Sequence, residues 1–331
     1  MNSILENASS SGDTINAAAS GSFHIAFCVD NHYFRSMGAT ILSILANNPG
    51  VHFTFHILAF AVADAHKARL LKLEQAHPVK THIHIVSPTL FSQFSHYIAS
   101  TYYSPAIFTR LAIPDILKDY TDKVLYLDAD ILCVGKIDGL MALPMQGTIA
   151  YVVPDAEATT VRRAAALKLS QVKYFNSGVL YMNITEWLAN GITEATIQAM
   201  LTGGDDFRFP DQDALNIALD GKATYIAKRW NYLYGLIGDL ERDYRAMRDV
   251  GDAVFIHFAG AVKPWANWCL HDSRLIFSKY HSMSPWADMP MDEFPTNYKE
   301  MRMYSRFLWK RKQFGASLRW FGKYLKARPR K

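Results

Sequence analysis

Seven short apolar runs recur along this chain, and helix-patterned stretches separate several of them. That alternation restricts the fold more than any other feature. "FHIAFCVDN" (23–31), "VHFTFHILA" (51–59), "VKTHIHIV" (79–86), "KVLYLD" (123–128), "TIAYVV" (148–153), "FNSGVLYMN" (175–183) and "AVFIHF" (253–258) predict strands. The stretches 33–50 and 62–76 have helical spacing, the first stopping at Asn-Pro-Gly, and 104–117 is helical with a break expected at Pro114. Strands and helices in this order predict a three-layer α/β domain around a mixed, mainly parallel sheet. Ligands in such sheets bind beyond the carboxyl ends of the strands. Asp30 lies at the end of the first run, and Asp128 and Asp130 at the end of "KVLYLD".

Composition narrows the class. The chain has 331 residues, enough for one large core with an appendage, and half of them are hydrophobic. No apolar run approaches the roughly 20 residues that cross a bilayer. Residues 1–22 lack a basic and an apolar signal region and are expected to form a disordered polar lead. Three scattered cysteines suit neither a disulfide framework nor a zinc knuckle, so a cytoplasmic location is expected. The charge is split: residues 299–331 hold 12 Lys/Arg and one acid, out of chain totals of 35 and 30. A mildly acidic body therefore carries a strongly basic tail. After Asp30, "NHYFRSMG" is neither G-x-G-x-x-G nor a P-loop, which disfavours a dinucleotide dehydrogenase or P-loop NTPase.

Burying carboxylates is costly unless a positive charge faces them. A D-x-D at a strand end can share a divalent cation, and hard cations with oxygen ligands fit it best. Such pairs also occur beside turns with no function, so the rest of the chain has to decide. "YFNSGVLYMN" places Asn176, Ser177 and Gly178 at the start of a strand. "FPDQDALNIAL" places Asp211, Gln212 and Asp213 in the first turn of a helix, where acids also serve as plain caps. "VFIHFAGAVKPW" offers His257 in a strand and Lys263 after a small-residue turn. A lone strand histidine is commonly a core residue, and a lysine before proline is commonly solvated.

Taken in order, "FCVDNHY", "FTRLAIPD", "VLYLDADI", "FNSGVLYMN", "PDQDALN", "WNYLYG" and "IHFAGAVKPW" resemble glycosyltransferase family 8. These are retaining enzymes of GT-A fold, and the strongest likeness is to the lipopolysaccharide core galactosyl- and glucosyltransferases. The resemblance implies a catalytic domain over 23–280 and a C-terminal extension over 281–331. It implies that Asp128, Asp130 and His257 hold Mn²⁺, with Mg²⁺ as a substitute. Cys28, Asp30 and Tyr33 fall where the uridine of a UDP-sugar is gripped; Gly260 and Lys263 fall beside the diphosphate. Arg110, Asp155, Asn176, Asp211 and Gln212 match positions around the donor sugar, with Asp211 and Gln212 nearest the chemistry. The implied partners are UDP-galactose or UDP-glucose and a lipopolysaccharide core acceptor.

An amide is a poor nucleophile beside a carboxylate, so a front-face displacement, with Gln212 stabilising positive charge on the sugar, is favoured over a covalent glycosyl-enzyme. From Tyr304 the residues Phe307, Phe314, Leu318, Phe321 and Leu325 recur at steps of three, four or seven among Arg306, Lys310, Lys312, Arg319, Lys323 and Lys326. A basic amphipathic tail of this kind suits the anionic cytoplasmic face of an inner membrane. The other readings of it are a helix docked on the catalytic domain and, with no recognition motif to support it, nucleic-acid binding, which is not expected. Three rival functions fit the residues less well. They are a haloacid-dehalogenase-type phosphatase, a glycogenin-like transferase with a non-lipid acceptor, and a non-catalytic nucleotide-sugar-binding protein at a membrane surface.

Overall fold

The computed structural model describes residues 21–94, 97 and 105–328. The polar lead expected over 1–22 thus lies, save its last two residues, outside the described residues, and so does Ser104. Among the described residues, ten strands form two sheets. The larger has seven, in the order β3 (Val79–Ile85), β2 (Phe53–Ala59), β1 (Phe23–Cys28), β4 (Lys123–Leu127), β7 (Phe175–Asn183), β6 (Ala150–Pro154), β8 (Thr224–Tyr225). The β3–β2, β2–β1, β1–β4 and β6–β8 pairs are parallel, and β7 runs antiparallel to both neighbours. The sheet is therefore mixed and mainly parallel, as the alternation of runs predicts.

Period-two alternation sends one set of side chains to each face. Ile25, Phe27, Phe55, Ile57, Leu125 and Leu127 face one buried cluster, and Ala26, Leu58, Val124 and Tyr126 face the other. The Phe34–Asn47 helix covers the first face, with Phe34, Met37, Ile41 and Ile44 buried. The Pro210–Ala218 helix covers the second through Ala214 and Leu215. Helices on both faces complete three layers.

The smaller sheet is β5 (Ile131–Cys133), β10 (Phe255–His257) and β9 (Tyr232–Leu233). Three residues separate β4 from β5, so Asp128, Ala129 and Asp130 form the link from one sheet to the other. β10 pairs antiparallel with β5, putting His257 opposite Ile131, and parallel with β9.

Two sequence expectations change. Residues 105–112 form a 3₁₀ segment, and Pro114 does not break a helix: it stands in the first turn of Ile113–Leu117, where a missing N–H costs nothing. The apolar stripe of the tail is not one helical face. It is divided between helices Tyr298–Lys310 and Phe314–Ala327, with Lys312 at φ 60° in the turn between them. Ser305 and Ser317 exchange hydrogen bonds of 2.9 and 2.7 Å with each other's carbonyls across this hairpin. Phe307 is buried against Trp268 and Trp320 packs on Phe294 and Tyr304, so this hairpin is docked on the domain. Phe314, Leu318, Phe321 and Leu325 stay exposed.

At the far side of the larger sheet, a ladder of histidines crosses three strands. His24 Nδ1 lies 2.9 Å from His56 Nε2, and His56 Nδ1 lies 3.1 Å from His84 Nε2. His82 stacks on His56, and Tyr120 closes edge-on against His56, His82 and His84.

Candidate functional site

Strand direction assembles the site. β1 and β4 are parallel and end at one edge; β7 is antiparallel to β4 and so begins there. Asp128 N–H donates to Gly178 O at 2.8 Å, tying the start of β7 to the D-x-D link. Phe258 N–H donates to Asp130 O at 3.1 Å, which brings the end of β10 to the same link. Sequence segments more than a hundred residues apart thus place Asp128, Asp130 and His257 together.

These three offer ligand atoms that all lie within 4.8 Å of one another. His257 Nε2 is 3.2 Å from Asp130 Oδ1 and 3.8 Å from Asp128 Oδ2. Asp130 Oδ1 is buried and accepts no well-formed hydrogen bond, while Lys263 Nζ pairs with Asp130 Oδ2. Burial opposes the charged imidazole of His257, but the Asp130 carboxylate outweighs it and raises its pKa. Burial likewise opposes ionised Asp130, and the cations Lys263 and His257 override it and lower its pKa. A buried carboxylate gathering positive charge in this way, with an oxygen left over, fits a divalent cation held by two carboxylates and an imidazole. Gly178 leaves the space: a Cβ there would stand 2.5 Å from His257 Cε1 and 2.8 Å from Asp128 Oδ2.

Arg110 links this cluster to the next. Its guanidinium lies 3.2 Å from Asp128 Oδ1 and 3.2 Å from Asp211 Oδ2. It also donates to Ser177 O and Oγ at 3.0 and 2.9 Å and sits over the Tyr126 ring. The Tyr126 hydroxyl donates to Asp128 Oδ1. Burial raises the pKa of Asp211 despite Arg110, whereas the anions around Arg110 outweigh its burial and raise its own.

Beyond Arg110 lies an amide network. Gln212 Oε1 accepts from Ser177 N and Asn176 Nδ2 at 3.0 and 3.1 Å; Gln212 Nε2 donates to Asp155 Oδ2 and Tyr174 Oη, both at 3.0 Å. The expected donor-sugar residues Arg110, Asp155, Asn176, Asp211 and Gln212 are therefore joined in one chain of contacts. Asp213 is not part of that edge. It is fully buried and takes Arg163, Tyr174 and the backbone N–H groups of Arg208 and Phe209, which makes it a cap that holds the helix start.

The residues expected at the nucleotide are more dispersed. Asp30 Oδ1 accepts the N–H groups of His32 and Tyr33 at 2.9 and 3.3 Å, an Asx-type turn after β1. Tyr33 packs edge-on to Trp265, with its phenol pKa raised by burial although Lys263 acts against this. Cys28 lies near Thr109 and Arg110, and burial pushes its thiol up to about 12, so it is a neutral group. Gly260 has φ +105°, a left-handed conformation natural only to glycine. Lys263 was expected on a diphosphate; here it holds Asp130 and donates to Phe258 O at 3.0 Å.

Four participants are given no role by the sequence. They are Tyr126, Tyr174, Gly178 and Asn231, which bridges His257 and Asn176 at 3.0 and 2.9 Å. Period two would have put Tyr126 on the Asp128 face, and that was the available clue.

Comparison with known proteins agrees with this architecture. A lipopolysaccharide 1,2-glucosyltransferase of Escherichia coli (strain K12) is 27% identical over 305 residues, covering 88% of this chain and 89% of that protein. A lipopolysaccharide 1,3-galactosyltransferase of Salmonella typhimurium is 28% identical over 310 residues, covering 92% and 90%. The crystal structure of galactosyltransferase LgtC in complex with donor and acceptor sugar analogs superposes with a TM-score of 0.66 at 22% identity, over 79% of this chain and 96% of that one, and shares its fold. Family models match residues 24–269 (glycosyl transferase family 8) and 264–328 (glycosyl transferase family 8 C-terminal). The chain with this cluster at its sheet edge belongs to glycosyl transferase family 8.

Proposed function

We propose that this protein is a retaining hexosyltransferase that moves galactose or glucose from a UDP-sugar onto a lipopolysaccharide core oligosaccharide in α linkage, using Mn²⁺. The observation that carries the reading is the Asp128–Asp130–His257 cluster with its unpartnered Asp130 oxygen, one arginine away from the Gln212 amide network. The names of the relatives support the acceptor class and both donor sugars.

Asp128, Asp130 and His257 would hold the cation, and Mn²⁺ suits a mixed oxygen and imidazole set. When bound, such an ion neutralises the charge that grows on a departing diphosphate. Lys263 adds a second positive charge once released from Asp130, in a site whose burial strengthens it. Gly260 allows the backbone to approach the phosphates, and Cys28, Asp30 and Tyr33 line the uridine side. Asp211, with Asn176 and Asp155, orients sugar hydroxyls, and Arg110 keeps Asp211 and Asp128 at fixed separation. The Gln212 oxygen faces the positive charge that builds at the anomeric carbon. The leaving diphosphate takes the acceptor's proton on the same face, so configuration is retained without a glycosyl-enzyme.

The catalytic unit is assigned to 23–280, carried on to the end of the Ser273–Met283 helix, and the extension follows it. No described helix is long and apolar enough to cross a membrane. The exposed side chains of Phe314, Leu318, Phe321 and Leu325, ringed by lysines and arginines, suit peripheral attachment to an anionic inner-membrane surface from the cytoplasmic side.

A donor screen tests the whole reading. UDP-galactose or UDP-glucose should release UDP in a Mn²⁺-dependent way, and Asp130→Ala should lower that rate by roughly 10³-fold while the protein stays folded. Equal turnover by the folded variant, or release of phosphate from phosphomonoesters instead, would rule it out.

A further inference from the structure

We propose that Asn231 is a positioning residue: it holds the His257 imidazole with its proton on Nδ1 and its Nε2 lone pair toward Asp128 and Asp130, and it ties that choice to the Asn176 and Gln212 amides. The inference rests on the reading of Asp128, Asp130 and His257 as cation ligands.

The direction of every hydrogen bond in this region can be followed outward from two backbone N–H groups, which can only donate. Ser177 N–H meets Gln212 Oε1 at 3.0 Å, and Gly178 N–H meets Asn176 Oδ1 at 3.1 Å. Both side-chain oxygens are thereby fixed. Asn176 Oδ1 also faces the amide of Asn231 at 2.9 Å, so the group presented there is Nδ2, a donor. The other end of Asn231 is then an oxygen, 3.0 Å from His257 Nδ1. An amide oxygen only accepts, so Nδ1 carries the proton. Turning the Asn231 amide over would set two oxygens 2.9 Å apart at Asn176.

In the neutral ring the remaining nitrogen, Nε2, is bare and lies 3.2 Å from Asp130 Oδ1 and 3.8 Å from Asp128 Oδ2. That is the atom a cation needs. Burial keeps water from substituting for the amide, since Asn231 is 2% exposed and His257 3%. The backbone holds the spacing as well: Asn231 immediately precedes β9, which is paired with β10 at Leu233↔His257. The same asparagine therefore touches the cation cluster with one atom and the sugar-side network with another. Hydrogen-bond partners of metal-bound histidines typically change metal affinity 10–100-fold when removed.

Two substitutions separate these contacts. Asn231→Leu removes both. Asn231→Asp keeps an acceptor for Nδ1–H and turns an oxygen toward Asn176 Oδ1. Mn²⁺ affinity is read without nucleotide, from the loss of the free-ion electron paramagnetic resonance signal, and donor KM is read separately. Asn231→Leu should weaken Mn²⁺ binding about 10–100-fold. Asn231→Asp should hold Mn²⁺ within about 3-fold of the native protein yet raise the donor KM about 10-fold or more, as expected when a facing pair loses its hydrogen bond. A folded Asn231→Leu protein that binds Mn²⁺ normally overturns the proposal. So does an Asn231→Asp protein in which Mn²⁺ affinity falls in step with the rise in donor KM, and this second test stands if the leucine variant does not fold. Asp130→Ala is the control for the underlying reading. If it loses Mn²⁺ while Asn231→Leu retains it, the role of Asn231 fails alone; if Asp130→Ala also binds normally, the cation site itself is refuted.

Discussion

Gly178 decides how closely β7 can approach the D-x-D link. Its hydrogen atom occupies a position where a methyl group would overlap His257 and Asp128, and the strand beneath is fully packed. Gly178→Ala should cost about 1–3 kcal/mol of stability, as overpacking does, and should weaken Mn²⁺ binding by displacing the imidazole. A melting temperature and a metal affinity both at native values would contradict this. Single residues were unevenly legible in the sequence. Asp128 and Asp130 stood out because carboxylates at the end of an apolar run need a reason to be there. Within its own strand His257 reads as a core histidine, and only the family resemblance singles it out; strand pairing, opposite Ile131, is what brings it to the carboxylates. Gly178 and Asn231 lie in motifs the sequence shows but take no role from it: their partners lie far along the chain, and no local pattern encodes a clearance or a shared proton.

At the level of elements, the C-terminal hairpin departs most from its one-dimensional pattern. In the sequence the apolar residues read as a single stripe; in three dimensions Arg311 ends the first helix and the chain reverses at Lys312. Apolar residues before the turn, Phe307 and Leu308, are buried, and those after it divide, with Trp320 packed inward and Leu318 62% exposed. Excising the hairpin would uncover Trp268, so point changes on the outer face are the cleaner probe. Leu318→Glu with Phe321→Glu should reduce co-sedimentation with phosphatidylglycerol-containing vesicles by about tenfold or more and leave UDP-sugar hydrolysis unchanged. Equal sedimentation would remove the membrane role. Around 105–117 the sequence is ambiguous because proline suits a helix start as well as a helix end; Pro114 stands at a start, and the 3₁₀ segment before it buries Phe108 and Leu111 in the second core face.

For the whole molecule, the histidine ladder sets an acid limit on stability. Burial lowers the imidazoles of His24 and His84 to about 4, with His82 adding to it, and burial lowers His56 and His82 too. In the unfolded chain these rings take up protons near pH 6.5, so stability is complete above that pH and is lost as pH falls toward 4. The melting temperature should drop by several degrees between pH 7.5 and 5, and by less in His84→Gln; a flat profile would refute the linkage. The layered fold was legible because seven strand runs and their intervening helices obey simple periods. In the smaller sheet only β10 was, within "AVFIHF"; β5 and β9, of three and two residues, carry no period. Yet that small sheet meets the large one at Asp128–Ala129–Asp130, and the two carboxylates of the cluster lie on this seam while the imidazole rides on one side of it. The cluster therefore acts as a gauge of alignment between two independently hydrogen-bonded bodies. Sliding β10 by a single residue along β5 would carry the ring away by about 3.4 Å, so a transplant of 231–263 from a cousin protein would bring its histidine to the wrong place unless the register came with it.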